Sequence, residues 1–251
     1  MKKIIFVVIG ILLLSILLTG CSPTSSSKSL KETLQASPDT IPNPLITISK
    51  SKLDSLNIPP EKLENYLRNL YSVSIHTNSN IWGKNSYATF WTEPLALAWA
   101  EHYAQIQLMT PTEENEEIQS ELNIIKKYIE VQIYLYSSAD DGYKYTELSG
   151  LTSARRRIFI ENDQGRHIFF MDATVADSQY KSNLESLSPG YWVSSNIVLF
   201  PLTDKNGVPI ITKKTKWVKV WITTNHENAY FKFNFSNDLF KKISKMATAL
   251  K

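Results

Sequence analysis

Few side chains in this 251-residue sequence combine a reactive type with a telling spacing. The one cysteine, Cys21, closes the run "SILLTGC". A thiolate is a strong nucleophile, and a serine at that place is not. The four histidines are His76, His102, His167 and His226, and no two have the close spacing of a helical zinc site. "SSADDGYKY" (137–145) and "ENDQGRH" (161–167) set acidic and amide oxygens beside a glycine. Neither offers the oxygen ligands at fixed offsets, closed by a bidentate carboxylate, that calcium needs, so both read as turns. Arg155, Arg156 and Arg157 are consecutive. On a strand they form a charged edge that discourages pairing between sheets, or a contact for phosphate. No G-x-S-x-G, H-E-x-x-H, Walker or G-x-G-x-x-G pattern is present. The sequence therefore assigns no catalytic residue, no metal ligand and no cofactor.

The strongest chemical pattern is at the start. Met1-Lys2-Lys3 is followed by an apolar run from Ile4 to Leu18, broken only by Gly10 and Ser15. At about 15 residues the run is shorter than the roughly 20 a spanning helix needs, and has the length of a secretory h-region. Leu18-Thr19-Gly20-Cys21 then resembles the lipobox of bacterial lipoprotein signal peptides. The resemblance covers residues 1–22 only. It implies cleavage before Cys21, a diacylglyceryl group on its thiol and an extracytoplasmic membrane address. In bacteria with two membranes, Ser22 after the cysteine implies the outer one. One acyl chain anchors marginally and two anchor stably, at about 0.8 kcal/mol per buried CH₂.

The remaining composition agrees with that address. With Cys21 lipidated, no thiol remains to mispair in an oxidising compartment. Formal charge is 27 minus 24, or +3, and loss of Lys2 and Lys3 leaves 25 minus 24, or +1. A nearly neutral domain gives no electrostatic case for nucleic acid.

An aromatic pattern is the second chemical feature. In "KWVKVWI", Trp217, Lys219 and Trp221 alternate with Val218, Val220 and Ile222. In "VQIYLYS", Tyr134 and Tyr136 alternate with Val131, Ile133 and Leu135. Period-two alternation puts the two sets on opposite faces of a strand. Tyr134, Tyr136, Trp217 and Trp221 are thus candidates for an aromatic platform that takes a glycan or a protein partner. The competing expectation makes them a second core layer under the helices. His102 reads as a hydrogen-bonded, partly buried side chain.

The elements that must position these residues follow from pattern. Residues 1–20 read as signal peptide, and 21–45 as lipidated Cys21 plus a Ser/Thr/Pro-rich tether. Residues 46–251 read as one α+β domain. Its first part, 46–128, is mostly helical and includes an αα-hairpin over 92–128. That hairpin has Leu95, Trp99, His102, Ile106 and Met109 on one side, and a Thr110–Glu113 capping box. From 129 to 235 the period is that of antiparallel strands, in a sandwich-like or strongly curved sheet, and 236–251 closes as a helix. A lipid-anchored binding or envelope-assembly module is the first expectation. An extracytoplasmic hydrolase of cell-wall or surface polymers is the alternative. It would bring at least two of His76, His102, His167, His226, Asp140, Asp141 and Glu161 together in a cleft.

Overall fold

The structure, a computed structural model, describes residues 40–45, 47–78, 82–137, 148, 157–181, 190–224 and 227–249. Cys21 and the expected signal peptide, Asp140, Asp141, Arg155, Arg156 and His226 lie outside the described residues. The described chain belongs to one compact unit, Ser37–Lys251. It has the expected α+β class, with helices α1 (Lys50–Asp54), α2 (Pro60–Leu70), α3 (Glu93–Gln107), α4 (Pro111–Lys127) and α5 (Leu239–Ala249). The strands are β1 (Ile41–Pro42), β2 (Ser72–Thr77), β3 (Tyr87–Phe90), β4 (Tyr128–Ser137), β5 (Arg157–Asn162), β6 (His167–Phe169), β7 (Asp172–Lys181), β8 (Tyr191–Pro201), β9 (Trp217–Thr223) and β10 (Asn228–Ser236). No helix among the described residues is long and apolar enough to cross a membrane.

The strands form one sheet in the order β6-β5-β9-β10-β2-β3-β4-β8-β7, and β1 adds to β10 in parallel. β6 and β7 end that order on opposite sides, yet only Phe170 and Met171 separate them in sequence. Those two residues join the edges. The Phe170 N–H donates to the Ile158 carbonyl on β5 at 3.2 Å, and the Met171 N–H to the Leu199 carbonyl on β8 at 2.8 Å. The sheet is therefore curled until its edges meet, which removes most exposed edge. Tight turns set the hairpin registers. Gly165 and Gly207 both sit at φ 74, where a Cβ is disfavoured. The Asn162 and Asp204 side chains each accept two backbone N–H bonds within those turns.

Inside the curl, Val131, Ile133, Leu135, Val218, Val220, Ile222, Phe231 and Phe233 are all buried and share one core with Leu63, Leu67 and Leu95. The capping box forms as expected. The Glu113 N–H donates to Thr110 Oγ1, and Glu113 Oε2 accepts from the Thr110 N–H at 2.7 Å. Helix α3 packs between α2 and α4. Its buried face is Leu95, Ala96, Leu97, Ala98, Ala100 and Ala104, whereas Ile106 is 61% exposed. The alanines let the neighbouring helices approach closely and are buried together with Leu95 and Leu97, so of the expected stripe Leu95 is buried and Ile106 is not.

The stretch "SKLDSLNIPPEKL" makes two helices, with Asn57 at φ 50 between them and the second starting at Pro60. One boundary differs from expectation: the tether ends earlier than residue 45. Ile41 is fully buried and pairs with Phe235, and Asn43 Nδ2 donates to the Thr212 carbonyl at 3.0 Å. Pattern reading misses a two-residue strand whose partner lies nearly 200 residues away. Ile41→Ala should accordingly lower stability by about 2–4 kcal/mol, as for other core truncations. Urea denaturation measures it, and a change under ~0.5 kcal/mol, the range of surface sites, would return residues 40–45 to the tether.

Candidate functional site

The outer face of the sheet is built by cross-strand register. Residues directly opposite on antiparallel strands share a face. Phe159 on β5 lies opposite Trp221 on β9, Trp221 opposite Tyr230 on β10, and Tyr230 opposite His76 on β2. Their rings are in contact all along this line. Centroids are 6.0 Å apart for Phe159–Trp221, 4.7 Å for Trp221–Tyr230 and 4.9 Å for Tyr230–His76. Phe169 on β6 extends the row edge-on to Phe159 at 5.8 Å. Lys219 Nζ stands over the Trp217, Trp221 and Tyr230 rings at 5.2, 5.3 and 4.8 Å, within cation–π range. Trp221 Nε1 donates to Glu161 Oε2 at 2.8 Å, which fixes the indole.

At the β2 end the ladder opens into a recess of about 450 Å³, lined by His76, Trp221, Tyr230, Asn78, Asn228 and Lys84 among others. His76 itself is exposed on the strand. Partial burial, then Lys232 and Lys219, hold its pKa below the ordinary value of 6.5. It therefore presents a neutral imidazole at pH 7.

Tyr134 and Tyr136 belong to a separate group. Tyr134 stacks on Tyr87 at 4.5 Å, and Tyr136 tilts against Tyr191 at 5.8 Å. They lie on the same outer face as Trp217 and Trp221, but four strand steps away, which at ~4.8 Å each is about 19 Å. Sequence alternation identifies the face correctly and cannot show that the candidates form two clusters. All four are half-buried. The helices reach the outer face at the start of β4, where Arg68 Nη1 of α2 donates to Gln132 Oε1 at 3.0 Å.

Where α2 and α4 meet β4 and β8 there is a second recess, of about 250 Å³. Arg68, Trp91, Trp99, Glu121, Glu130 and Gln132 line it with aliphatic neighbours. Burial and then the Glu121 charge push the Glu130 carboxyl up to about 7. Burial and then Glu117 raise Glu121 as well. The Trp91 indole N–H, which is near but closes no hydrogen bond of good geometry, offsets part of that rise. Of these residues the sequence marked only Trp99, as part of a helix stripe, and neither glutamate. A glutamate alternating with apolar residues in "IEVQI" reads as a solvent-facing strand position.

The described histidines, His76, His102 and His167, do not converge on one another. His102 Nδ1 pairs with Glu64 Oε2 at 2.6 Å, as a hydrogen-bonded, partly buried side chain should. His167 packs edge-on to Phe159, and His76 stacks on Tyr230. No three His, Cys, Asp or Glu among the described residues cluster to hold a metal.

No protein-family model matches the sequence, and no curated protein matches it. Among solved structures the chain is similar to a novel protein of unknown function from Burkholderia pseudomallei K96243, at 12% identity and a TM-score of 0.43, over 80% of this chain and 98% of that one.

Proposed function

We propose that this chain is a lipid-anchored binding module of the bacterial cell envelope, held by acyl chains on Cys21 at the extracytoplasmic face. Its ligand is an envelope polymer of sugar rings bearing acidic groups. One observation carries the binding reading: the Phe159–Trp221–Tyr230–His76 ladder, capped by Lys219, opens into a recess edged by amides and a lysine. Aromatic faces stack on the C–H faces of sugar rings, and a few placed polar groups fix orientation. Asn78 and Asn228 suit hydroxyls. Lys84, Lys219 and Lys232 favour carboxylate or phosphate substituents. The hydrolase reading has weaker support, because His102 is engaged by Glu64 and Glu161 by Trp221.

The test is calorimetric titration of the mature domain with a teichuronic acid, whose sugar rings bear carboxylates, and with an uncharged glucan. The teichuronic acid should bind, and Trp221→Ala should weaken it roughly tenfold, the loss of about 1.4 kcal/mol expected for a stacked ring. Lys219→Met should flatten the salt dependence. Binding that Trp221→Ala leaves intact, with the fold verified by circular dichroism, would remove the ladder from the site. Equal affinity for the glucan would remove the acidic group from the ligand.

A further inference from the structure

The recess beneath α4 has an electrostatic deficit that the aromatic ladder does not share. Glu130 is only 7% exposed, lines the recess, and its carboxyl makes no hydrogen bond or ion pair with any described residue. Glu121, on the opposite wall, is likewise without a cation partner among the described residues. Arg68, the cation on the wall, is already engaged. Its Nη2 donates to Glu64 Oε1 at 2.7 Å and its Nη1 to Gln132. His102 takes the other oxygen of Glu64. Two carboxyl groups thus face one small cavity with no positive charge left for them.

A desolvated carboxylate without a partner is costly, and a second one nearby raises the cost. One cation placed between them relieves both terms. The remaining wall selects the kind of cation. Trp99 stacks on Tyr103 and meets Trp91 edge-on, and aromatic walls favour organic cations over water. A hard divalent metal prefers six or more oxygens, and the described residues bring no third carboxylate or histidine into a ligand set. At about 250 Å³ the cavity is below the ~300–1,000 Å³ usual for drug-sized ligands. It has room for one alkyl chain with a charged end.

From these observations the geometry points to the recess between α4 and β4 as a binding site for an alkylammonium group, carried by a small amine or by a lysine side chain.

The experiment titrates the mature domain at mildly alkaline pH with n-butylammonium, with Nα-acetyl-lysine methylamide and with 1-pentanol, by ligand-observed NMR and calorimetry. At least one of the two ammonium probes should bind saturably, and which one does identifies the source as a free amine or a side chain. 1-Pentanol should bind more weakly. Glu130→Gln and Glu121→Gln should each weaken the ammonium by roughly tenfold. Both variants are close isosteres, and the first is expected to be the more stable protein, so lost binding would not reflect unfolding. Trp221→Ala, remote from the recess, should leave this binding unchanged. The assignment is overturned if neither ammonium probe binds in the millimolar range. It is also overturned if the alcohol binds as well, or if the double Gln variant binds the ammonium as the parent does.

Discussion

Glutamine in place of Glu130 is expected to stabilise the protein by up to about 3 kcal/mol at mildly alkaline pH, and to add little in acid. The carboxyl is raised from 4.5 to about 7 in the folded state, chiefly by burial and then by Glu121. Below about pH 4.5 the folded and unfolded chains both hold the proton, and the site costs nothing extra. Between about 4.5 and 7 only the folded chain keeps it, so stability falls as pH rises. Above about 7 the loss is complete, and the displacement from 4.5 to about 7 corresponds to about 3 kcal/mol. A neutral amide of the same shape never incurs this cost. It also relieves Glu121 on α4, while Arg68 on α2 stays with Glu64 and Gln132. Thermal denaturation across this range reads the difference, at about 2–4 °C per kcal/mol for a domain of this size. Parallel pH profiles for the two proteins would show that Glu130 is hydrated and that the recess is no low-dielectric site.

That prediction could not have been made from the sequence, and the reason is geometric. Alternation in "VQIYLYS" and "KWVKVWI" assigns each residue to a face correctly, because a strand has period two whatever surrounds it. The inner set, Val131 to Leu135 and Val218 to Ile222, is buried as the pattern requires. What lies over the outer face is decided by residues far away in the chain. Gln132 meets Arg68 from α2, Trp221 meets Phe159 and Tyr230, and Tyr134 meets Tyr87. Local pattern therefore reads the strands, their turns and the capping box, and cannot read the neighbours of an outward side chain. The same limit explains α3. Its large apolar side chains mark a stripe of which Leu95 is buried and Ile106 is not, and its alanines, which no stripe marks, are buried as well. It explains the two-residue β1 as well, whose strand identity exists only through Phe235 and Ser236.

Cys21→Ser should abolish membrane attachment through lipid, the largest change any single substitution in this chain is expected to produce. The argument is chemical. Transfer of a diacylglyceryl group would form a thioether at that sulfur, which needs a thiolate nucleophile, and the alcohol of serine is too weakly acidic to replace it. Each buried CH₂ contributes about 0.8 kcal/mol, so chains on the thiol and on the new amino terminus together would anchor the domain stably. No described helix is long and apolar enough to span a bilayer. The full chain, expressed in a bacterial host with radiolabelled palmitate, should carry label and begin at Cys21. The serine variant should carry none and retain Met1, whose uncleaved apolar segment at about 15 residues is too short to span with ease. Mass spectrometry separates the two forms unambiguously. A parent protein that keeps Met1, or whose Cys21 bears no acyl mass, would detach the binding face from the envelope. The Trp221 ladder would then need a ligand from some other compartment.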